Sequence, residues 1–513
     1  MTIPTPAPDA GGSPAPSGHE GPASEPFQEL VEHARETHVV VIGGGIAGLV
    51  AAWECAKVGM AVTLVEASDR LGGTIGSARI AGLELETGVT CWSTRGGTVR
   101  GLVDDVLPDA AIVRPRDDRE WIAGLPKGAA APLPAEQVLG IPANPWDESV
   151  RRIIGWGGTW RAYVDRLRPP LTIGAQRSLG RLVHGRMGDK VRDRLVAPLT
   201  IDRFGLDPVD VDVEVAAPGL GNALTRTGWL GGAVADVRVD APSASIEGLD
   251  GGMPQLTAAL AERLAEREVA IHTGALATGV VRSDGRWTVE LATIAPDGAV
   301  AAPDRLHADA VIVATDETTA RALLAAALGT PAFADVAAAG IARDVVTLVV
   351  DAPELDAAPR GAHVHAVPGA SRATGLVHET ARWEWLARDA GAGRHVLRVA
   401  FGAPGTAPAT EGLSDADAAV MAVAEASVLL GVQLDEGRIA GARRDAYTLV
   451  PPASALGRRE RTDAARAAIS RAPGLAAVGA WLSGSGLAQV VADAQDEADR
   501  LRRRALWGAE AAE

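Results

Sequence analysis

The chain has 513 residues, 47% of them hydrophobic, which is enough to bury the cores of more than one domain. Its formal net charge of −16 disfavours nucleic acid as a partner, because phosphate contacts need a positive surface. The two cysteines, Cys55 and Cys91, are too few for a disulfide framework and lack metal-ligand spacing, which favours a reducing, cytoplasmic environment.

The start of the chain has the composition of a disordered leader, which we expect over residues 1–37. Residues 1–26 hold seven prolines among Ala, Gly and Ser, so they bury too little apolar surface to offset the entropy of ordering. The segment lacks the basic and apolar regions of a secretory signal. No uninterrupted apolar run reaches about 18 residues, so no membrane-spanning helix is expected.

The stretch VVVIGGGIAGLVAA predicts a buried parallel strand at 39–42, a tight turn and a helix. Its glycines satisfy the spacing G-x-G-x-x-G. The first permits the turn, the second lets a pyrophosphate approach the backbone, and the third lets helix and strand pack closely. Free N–H groups at the helix start would face the phosphates. The candidate binding residues of this turn are Gly43, Gly45, Ile46, Ala47 and Gly48.

A second strand is predicted at 61–65, and Glu66 follows it directly. A carboxylate at this place can accept hydrogen bonds from the two hydroxyls of a ribose. The same charge disfavours a 2′-phosphate, so the expected ligand is FAD or NAD rather than NADP.

The next segment resembles a family signature. EASDRLGG, residues 66–73, is similar to the E-A-x-x-R-x-G-G stretch of the amine-oxidase and protoporphyrinogen-oxidase superfamily of flavoproteins. The resemblance implies that FAD is the cofactor, with the arginine and the glycine pair along its pyrophosphate and ribityl chain. It also implies that the glycine of ELETGV lies where the chain passes close to the flavin ring. The residues concerned are Ala67, Arg70, Gly72, Gly73, Thr74 and Gly88.

The far end of the chain supports the same family. Residues 473–501 predict a strand, a glycine-rich turn and a helix, and the resemblance implies that this helix points at the pyrimidine edge of the flavin. Unpaired amides near Gly486 and Leu487 would stabilise the negative charge of reduced flavin there. Gly479 is followed by Ala and Trp, as in porphyrinogen oxidases, whereas many amine oxidases have an acid nearby.

The predicted fold class is α/β, with a Rossmann-like FAD-binding domain assembled from discontinuous segments. We expect that domain to comprise residues 38–95, 250–330 and 470–505, with Ala277 in the wall of the adenosine and flavin pocket. Residues 96–249 are predicted to form a mainly helical subdomain on the substrate side. Residues 331–469 are predicted to form an α+β substrate domain.

Other stretches are similar to the FAD-dependent coproporphyrinogen III oxidases, particularly of actinobacterial type. The resemblance is carried by SLGRLVHGRMGDKVRDRLVAPL (178–199) and GLVHETARWEWLARDAGAGRHVLRVAFG (375–402). It implies successive hydride transfers from coproporphyrinogen III to FAD, with oxygen as acceptor, to give coproporphyrin III in haem biosynthesis. Two stretches depart from the family pattern. Residues 200–208 read TIDRFGLDP in place of a Tyr-Ala-Gly-Asp-Pro-like turn, and residues 443–457 read RRDAYTLVPPASALG without a Trp. The resemblance therefore supports the flavin more strongly than the substrate.

Three alternatives therefore stay open: a flavin amine oxidase, a carotenoid-type desaturase, and a flavoprotein that binds a tetrapyrrole without turnover. A carotenoid enzyme favours an apolar approach to the flavin. An amine oxidase often has an aromatic cage, yet this chain has only two Tyr and four Phe. The chemistry belongs to the cofactor and requires no protein base, so no catalytic side chain is named.

A basic stretch contrasts with the acidic chain, because residues 151–194 hold eleven Lys or Arg and three Asp. One interpretation is a solvated helical face. The other is attraction of an anionic substrate with four propionates, or of acidic lipid headgroups. A peripheral membrane contact, a transient contact with a ferrochelatase and the oligomeric state stay open.

The histidines and tryptophans give weaker indications. His363 and His365 alternate as on one strand face, but without a third ligand they are interpreted as structural, and no metal site is predicted. Trp383 and Trp385 either line a tetrapyrrole cavity or pack in a core.

Overall fold

The structure is a computed structural model that describes residues 25–168, 177–240, 245–293, 304–333 and 340–507. Most of the predicted leader lies outside the described residues. Its last part, Glu25–Glu36, is instead an α-helix in which Ala34 is 2% exposed. The prediction of disorder up to residue 37 is therefore wrong for this part. The helix packs against a segment near the other end of the chain, where His33 Nε2 lies 3.0 Å from the carbonyl oxygen of Ala505, and local composition does not reveal such a contact.

Twenty-two strands are found within the described ranges. They are β1 (His38–Ile42), β2 (Ala61–Val65), β3 (Ile75–Ile80), β4 (Leu83–Gly88), β5 (Trp92–Ser93), β6 (Ile112–Val113), β7 (Glu120–Leu125), β8 (Ala129–Pro132), β9 (Gln137–Val138), β10 (Ile141–Pro142), β11 (Ile246–Leu249), β12 (Ala270–His272), β13 (Ala275–Ser283), β14 (Arg286–Thr293), β15 (Asp304–Ala308), β16 (Ala310–Val313), β17 (Ile341–Asp351), β18 (His363–Ala366), β19 (Ala373–His378), β20 (Arg394–Phe401), β21 (Ile439–Leu449) and β22 (Leu475–Ala477).

The α-helices of the same ranges begin with the one described above. They are α1 (Glu25–Glu36), α2 (Ile46–Ala56), α3 (Thr98–Val106), α4 (Glu148–Tyr163), α5 (Leu179–Met187), α6 (Asp189–Val191), α7 (Ala197–Phe204), α8 (Val213–Ala216), α9 (Leu220–Thr227), α10 (Leu230–Asp240), α11 (Pro254–Glu266), α12 (Glu317–Leu328), α13 (Glu379–Arg382), α14 (Glu384–Ala390), α15 (Asp415–Leu430), α16 (Arg458–Ser470), α17 (Ala480–Ser483) and α18 (Leu487–Trp507). One π-helical turn, Arg192–Val196, joins α6 to α7.

A five-stranded parallel sheet is the centre of the first domain, with the strand order β12-β2-β1-β16-β22. Its β-branched and apolar residues are buried on both faces, as expected for a parallel sheet covered by helices. Val40 pairs with Thr63 on one side and with Val311 on the other. Strands from three separated parts of the chain thus form one sheet, and the predicted α/β fold with a Rossmann-like domain is confirmed.

The second sheet has seven strands in the order β21-β17-β20-β19-β18-β7-β8. It is antiparallel except for β7, which runs parallel to β18. The strands β7 and β8 fall in the range 96–249, which was predicted to be mainly helical. The stretch between about residues 112 and 142 is an exception within that mainly helical range, because the strand conformation of β7 depends on pairing with a strand more than 200 residues later.

The helices α4 to α10 form the third unit, around a core that includes Ile153, Val183, Leu199 and Leu220. Helix α7 lies against β18 and β19, so this helical subdomain covers one face of the seven-stranded sheet. Within the described residues, we find no helix with both the length and the apolar character needed to cross a bilayer.

Candidate functional site

The three glycines of the first turn have different physical roles. Gly43 has φ +110°, and a Cβ atom there would lie 2.5 Å from the carbonyl oxygen of Ala314. A Cβ atom on Gly48 would overlap the carbonyl oxygen of Gly43. Both positions need glycine because backbone approaches backbone. A Cβ atom on Gly45 would meet no protein atom closer than Gly73 Cα at 3.9 Å, so the space in front of Gly45 is open to a ligand.

Glu66 lies at the tip of β2, and the glycine turn holds its carboxylate in place. One carboxylate oxygen accepts a hydrogen bond of 2.6 Å from the Gly44 N–H. The other accepts bonds of 2.8 and 2.7 Å from the N–H and hydroxyl of Ser68. Because a carboxylate has about four acceptor positions and three are used here, one position on the oxygen that faces Gly44 remains for a ribose hydroxyl.

A cavity of about 470 Å³ opens at the carboxyl ends of β1, β2 and β16, where parallel α/β sheets bind their ligands. Its volume falls in the range of about 300–1,000 Å³ that is usual for small-molecule and cofactor sites. The predicted site residues that line it are Gly43, Gly45, Ile46, Ala47, Glu66, Ala67, Gly73, Thr74, Ala277, Gly479 and Leu487.

The other predicted residues lie behind or beside the cavity wall. Gly48 lies in the first turn of α2, packed against the backbone of Gly43, and Gly72 donates its N–H to the Gly44 carbonyl at 2.9 Å. Arg70 is exposed, with a guanidinium nitrogen 3.3 Å from the carbonyl oxygen of Gly73. Gly88 has φ +74° and sits directly before Val89, which does line the cavity. Gly486 precedes Leu487 at the start of α18.

Further lining residues carry no local sequence signal. Thr448, at the end of β21 in the second sheet, and Val450, directly after that strand, also line the cavity. Asp316 also contributes, as the N-cap of α12, where it accepts hydrogen bonds from the N–H groups of Thr318 and Thr319. Only the tertiary arrangement brings these residues to the glycine turn.

The closing segment returns to the first domain as the family resemblance implied. Helix α18 packs along α2, and the Arg502 guanidinium donates a hydrogen bond of 2.6 Å to the carbonyl of Glu54. Leu487, at the start of this 21-residue helix, faces the cavity. The first N–H groups of a helix lack partners inside it, so the cavity receives the positive end of the α18 dipole.

Buried charged groups lie beside Gly88. The Arg398 guanidinium donates a hydrogen bond of 3.2 Å to the Gly88 carbonyl and lies 3.7 Å from the carboxylate of Glu379. The Glu86 carboxyl accepts a hydrogen bond of 2.6 Å from the Met253 N–H. Burial raises the pKa of Glu86 to about 8, so at neutral pH this group is mostly protonated.

A second polar cluster joins α7 to the seven-stranded sheet. Oδ2 of Asp202 lies 2.7 Å from Nε2 of His363 and 2.8 Å from Nδ1 of His365. Nε2 of His365 lies 3.0 Å from the carboxylate of Glu120. The guanidinium of Arg343 bonds Asp202 at 2.7 Å, and that of Arg203 bonds Glu120 at 2.6 Å. We call His363, Asp202, His365 and Glu120 the histidine–carboxylate chain.

The histidine–carboxylate chain has the ligand types of a metal centre. Ligand atoms of Glu120, His363 and His365 lie within 4.8 Å of one another, so the third group that sequence reasoning missed is present. Its charges are nevertheless balanced already, because one arginine pairs with each of the two carboxylates. A divalent ion would add two uncompensated charges to a largely buried cluster, which is unfavourable. The prediction of no metal site stays a prediction.

Core packing and ion pairs account for the two tryptophans and for several arginines of the basic stretch. Trp383 and Trp385 are 1% and 5% exposed and pack in a small core with Leu386, so they line no open cavity. Several arginines of the basic stretch pair with carboxylates of the chain, which favours a structural role for them. These arginines are Arg152, Arg177, Arg186 and Arg192.

A glycine turn, an acid at the tip of the second strand, a closing helix and a cavity between two sheets are together the arrangement of an FAD-dependent oxidoreductase. Comparison with known proteins gives the family: the flavin-containing amine oxidoreductase model matches residues 46–501, and the chain belongs to this family. The open space before Gly45 fits the cofactor, since a pyrophosphate needs close approach to a backbone without side chains.

Individual relatives cover parts of the chain. The coproporphyrinogen III oxidase of Propionibacterium freudenreichii subsp. freudenreichii is 26% identical over 218 residues, which are 42% of this chain and 38% of that protein. The mitochondrial protoporphyrinogen oxidase of Nicotiana tabacum is 25% identical over 205 residues, 38% of each protein. These alignments thus span well under half of either relative.

Two solved structures share the fold over nearly the whole chain. One, from Exiguobacterium sp. 255-15 and proposed to be a protoporphyrinogen oxidase, has a TM-score of 0.74 and 22% identity, covering 91% of this chain and 98% of the other. The other, a putrescine oxidase variant, has a TM-score of 0.63 and 16% identity, covering 92% and 99%.

Proposed function

We propose that the protein is an oxygen-dependent flavoprotein oxidase that converts coproporphyrinogen III to coproporphyrin III. The proposal is supported by the family membership together with the similarity to a coproporphyrinogen III oxidase. Haem biosynthesis in the cytoplasm is the corresponding setting.

The observation that carries the proposal is the charged face of the seven-stranded sheet next to the cavity. Arg398, Thr347 and Arg443 are direct partners across β20, β17 and β21, so their side chains share one face. On the same face, Arg343 pairs with Tyr447. This face adjoins Gly88 through the hydrogen bond from Arg398. Arg343 is buried and bonded to Asp202, whereas the half-exposed Arg443, 2.8 Å from Asp445, keeps guanidinium N–H groups for a propionate of a substrate that approaches the flavin.

The chain's own residues supply binding, orientation and charge. Gly45 and the start of α2 hold the pyrophosphate, and Glu66 holds the ribose. When bound, FAD accepts hydride from a saturated bridge carbon and passes the electrons to oxygen. The N-terminus of α18, at Leu487, favours negative charge at the adjacent end of the cavity. Arg398 adds a fixed positive charge beside Gly88.

The alternative substrates have less support at this face. An aromatic cage for an amine would need several aromatic side chains at the flavin. Trp481 lines the cavity and Tyr447 lies on the sheet face, but the other tyrosine, Tyr163, lies in the helical subdomain with its ring centroid 5.5 Å from that of Trp146. Phe401 is fully buried in the core behind the sheet. A polyene substrate would place apolar surface against Arg443, whose half-exposed guanidinium would lose water without gaining a partner.

The decisive experiment is an aerobic assay of purified holoenzyme with coproporphyrinogen III. We expect porphyrin fluorescence to rise with stoichiometric hydrogen peroxide, at a rate far above the flavin-free Gly45→Val variant and above autoxidation. Tight substrate binding without turnover would favour the non-catalytic flavoprotein. Turnover of amines or carotenes, with none of the porphyrinogen, would refute the proposal. Adding a ferrochelatase or anionic vesicles to the same assay tests those two contacts.

A further inference from the structure

A second cavity, of about 750 Å³, lies at the opposite edge of the parallel sheet from the cofactor cavity. Thr37, Asp309 and Gly474 line it, and these residues directly precede β1, β16 and β22. The strands have three to five residues, so roughly 10–17 Å of sheet separates the two cavities. The volume of the second cavity falls within the range of about 300–1,000 Å³ that is usual for small-molecule sites.

Three arginines from separate parts of the chain line this second cavity. Arg282 belongs to β13, Arg471 directly follows α16, and Arg504 lies in the last turn of α18. None of the three has a carboxylate oxygen within 4.0 Å in the described parts of the chain. This is unusual for the protein as a whole, because its acidic residues outnumber Lys and Arg by 65 to 49.

Most N–H groups of these three guanidinium groups are not used within the fold. Arg504 donates one hydrogen bond of 2.6 Å to the carbonyl of Ser470. Arg282 makes one long bond, of 3.5 Å, to the carbonyl of Gly285. The side chain of Arg471 has no hydrogen bond or ion pair with any described residue. Because each guanidinium has five N–H groups, the cavity keeps many donors for a ligand.

The acidic side chains at the second cavity do not cancel this positive charge. The Asp309 carboxylate accepts a hydrogen bond of 2.9 Å from the first N–H of β1 and lies 3.1 Å from a guanidinium nitrogen of Arg286. Its charge is therefore already paired. Glu36 adds one exposed carboxylate against the three arginines, so the charge that remains at the cavity is positive.

The helix ends at the second cavity are capped. Helices α16 and α18 both end here, and the carbonyl end of a helix carries negative partial charge that repels an anion. The hydrogen bond from Arg504 to Ser470 caps α16, and Nε2 of His33 lies 3.0 Å from the carbonyl oxygen of Ala505 in the last turn of α18. These contacts offset the repulsion.

We propose that the second cavity binds a small polyanion, a molecule with at least two phosphate or carboxylate groups, at a site distinct from that of FAD. Each guanidinium presents paired N–H groups that match the oxygens of a phosphate or a carboxylate. Three like charges in one cavity raise its electrostatic potential, and an anion that contacts more than one of them lowers their mutual repulsion. The site requires no property of the flavin reaction and goes beyond the proposed function.

The first test is calorimetric titration of holoenzyme with inorganic pyrophosphate and, separately, with citrate. FAD fills the cofactor cavity in the holoenzyme, so either probe reports on another site. We expect saturable binding of one equivalent, and the probe that binds more tightly identifies the ligand as a phosphate or a carboxylate compound. Arg471→Ala should raise Kd about 10-fold or more, the scale of one lost charge-assisted hydrogen bond, and Arg471→Glu should raise it further.

Arg461→Ala is the matched control for the loss of one positive charge. Arg461 is an exposed arginine of α16 that does not line the cavity, so this variant should keep the wild-type Kd. Equal weakening by Arg461→Ala and Arg471→Ala would show attraction by overall charge alone and would overturn the site. No saturable binding of either probe up to about 10 mM would overturn it as well.

Hydrogen–deuterium exchange with mass spectrometry locates the bound probe. Pyrophosphate should slow amide exchange in residues 467–475 and 500–507 and leave the glycine turn at 43–48 unchanged. Slower exchange at the glycine turn alone would place the probe in the cofactor cavity and refute the second site. Neither measurement uses turnover, so a wild-type protein that fails to oxidise coproporphyrinogen refutes the proposed function and leaves this test decisive.

Discussion

Replacing Gly45 by valine should abolish flavin binding while leaving the protein folded. The backbone at Gly45 has φ −71° and ψ 175°, which any residue adopts without strain. The nearest protein atom to a Cβ there is 3.9 Å away, so the added side chain fills only the space meant for the ligand. The folded apoprotein should therefore keep its stability to within about 0.5 kcal/mol, as is usual for substitutions that create no strain or cavity.

The expected loss of affinity follows from the contacts that the valine blocks. A pyrophosphate held at the start of α2 receives about two charge-assisted hydrogen bonds from backbone N–H groups, each contributing about 1.5–3 kcal/mol. Losing both costs about 3–6 kcal/mol, which corresponds to roughly a 10²- to 10⁴-fold rise in Kd for FAD. The flavin absorbance of the purified protein and the heat of FAD binding to apoprotein measure this directly.

Gly48→Ala is the matched control with the opposite expectation. A Cβ atom at Gly48 overlaps the carbonyl oxygen of Gly43, so backbone must move and unfolding should become easier by about 1–3 kcal/mol. Its urea midpoint should fall, whereas that of Gly45→Val apoprotein should not. Yellow Gly45→Val protein with wild-type FAD affinity would refute the assignment of this turn to the pyrophosphate.

Two further substitutions test buried charges. Because the pKa of Glu86 is about 8 in the fold and 4.5 in the reference state, the native protein binds the extra proton between these values. The contribution of this carboxyl to the free energy of unfolding is complete below pH 4.5. It falls as the pH rises to 8, by at most about 1.4 kcal/mol per pH unit. The free energy of unfolding of Glu86→Gln minus that of wild type should therefore be larger at pH 8 than at pH 5 when both are measured by urea unfolding. An equal difference at both pH values would contradict this. Arg458 is 1% exposed and bonds Glu317 at 2.8 Å and the carbonyl of Trp481 at 2.7 Å. Arg321 still pairs with Glu317 at 2.8 Å in Arg458→Met, so this variant should cost about 2–4 kcal/mol through the two buried acceptors that lose a donor, whereas exposed Arg459→Ala should cost under about 1 kcal/mol; similar Tm values for the two variants would refute this.

The glycine turn and the acid after β2 were readable in the sequence because they act locally. Their spacing along the chain sets their spacing in space: a strand, a turn and a helix within 30 residues leave little freedom. The strands β1 and β2 could be assigned from apolar runs for the same reason. The closing helix was recognisable because its glycine-rich turn matches a family pattern, and the structure brings it against α2.

Long-range pairing decided what the sequence left open. Strand β7 falls in a region that was predicted to be mainly helical. Its partner β18 lies far along the chain, and no local pattern indicates the pairing. Thr448 and Val450, at and directly after the end of β21, line the cavity without a local signal for the same reason.

The sequence alone determined the class of cofactor, since a phosphate-binding turn is a local backbone property. The tertiary structure decided which polar groups share one face of the seven-stranded sheet and which histidine meets which carboxylate. His363 and His365 were visible as an alternating pair, but Asp202 and Glu120 join them only when α7 packs across the sheet. Side chains from distant segments meet through packing, and packing is a property of the whole chain rather than of any stretch within it.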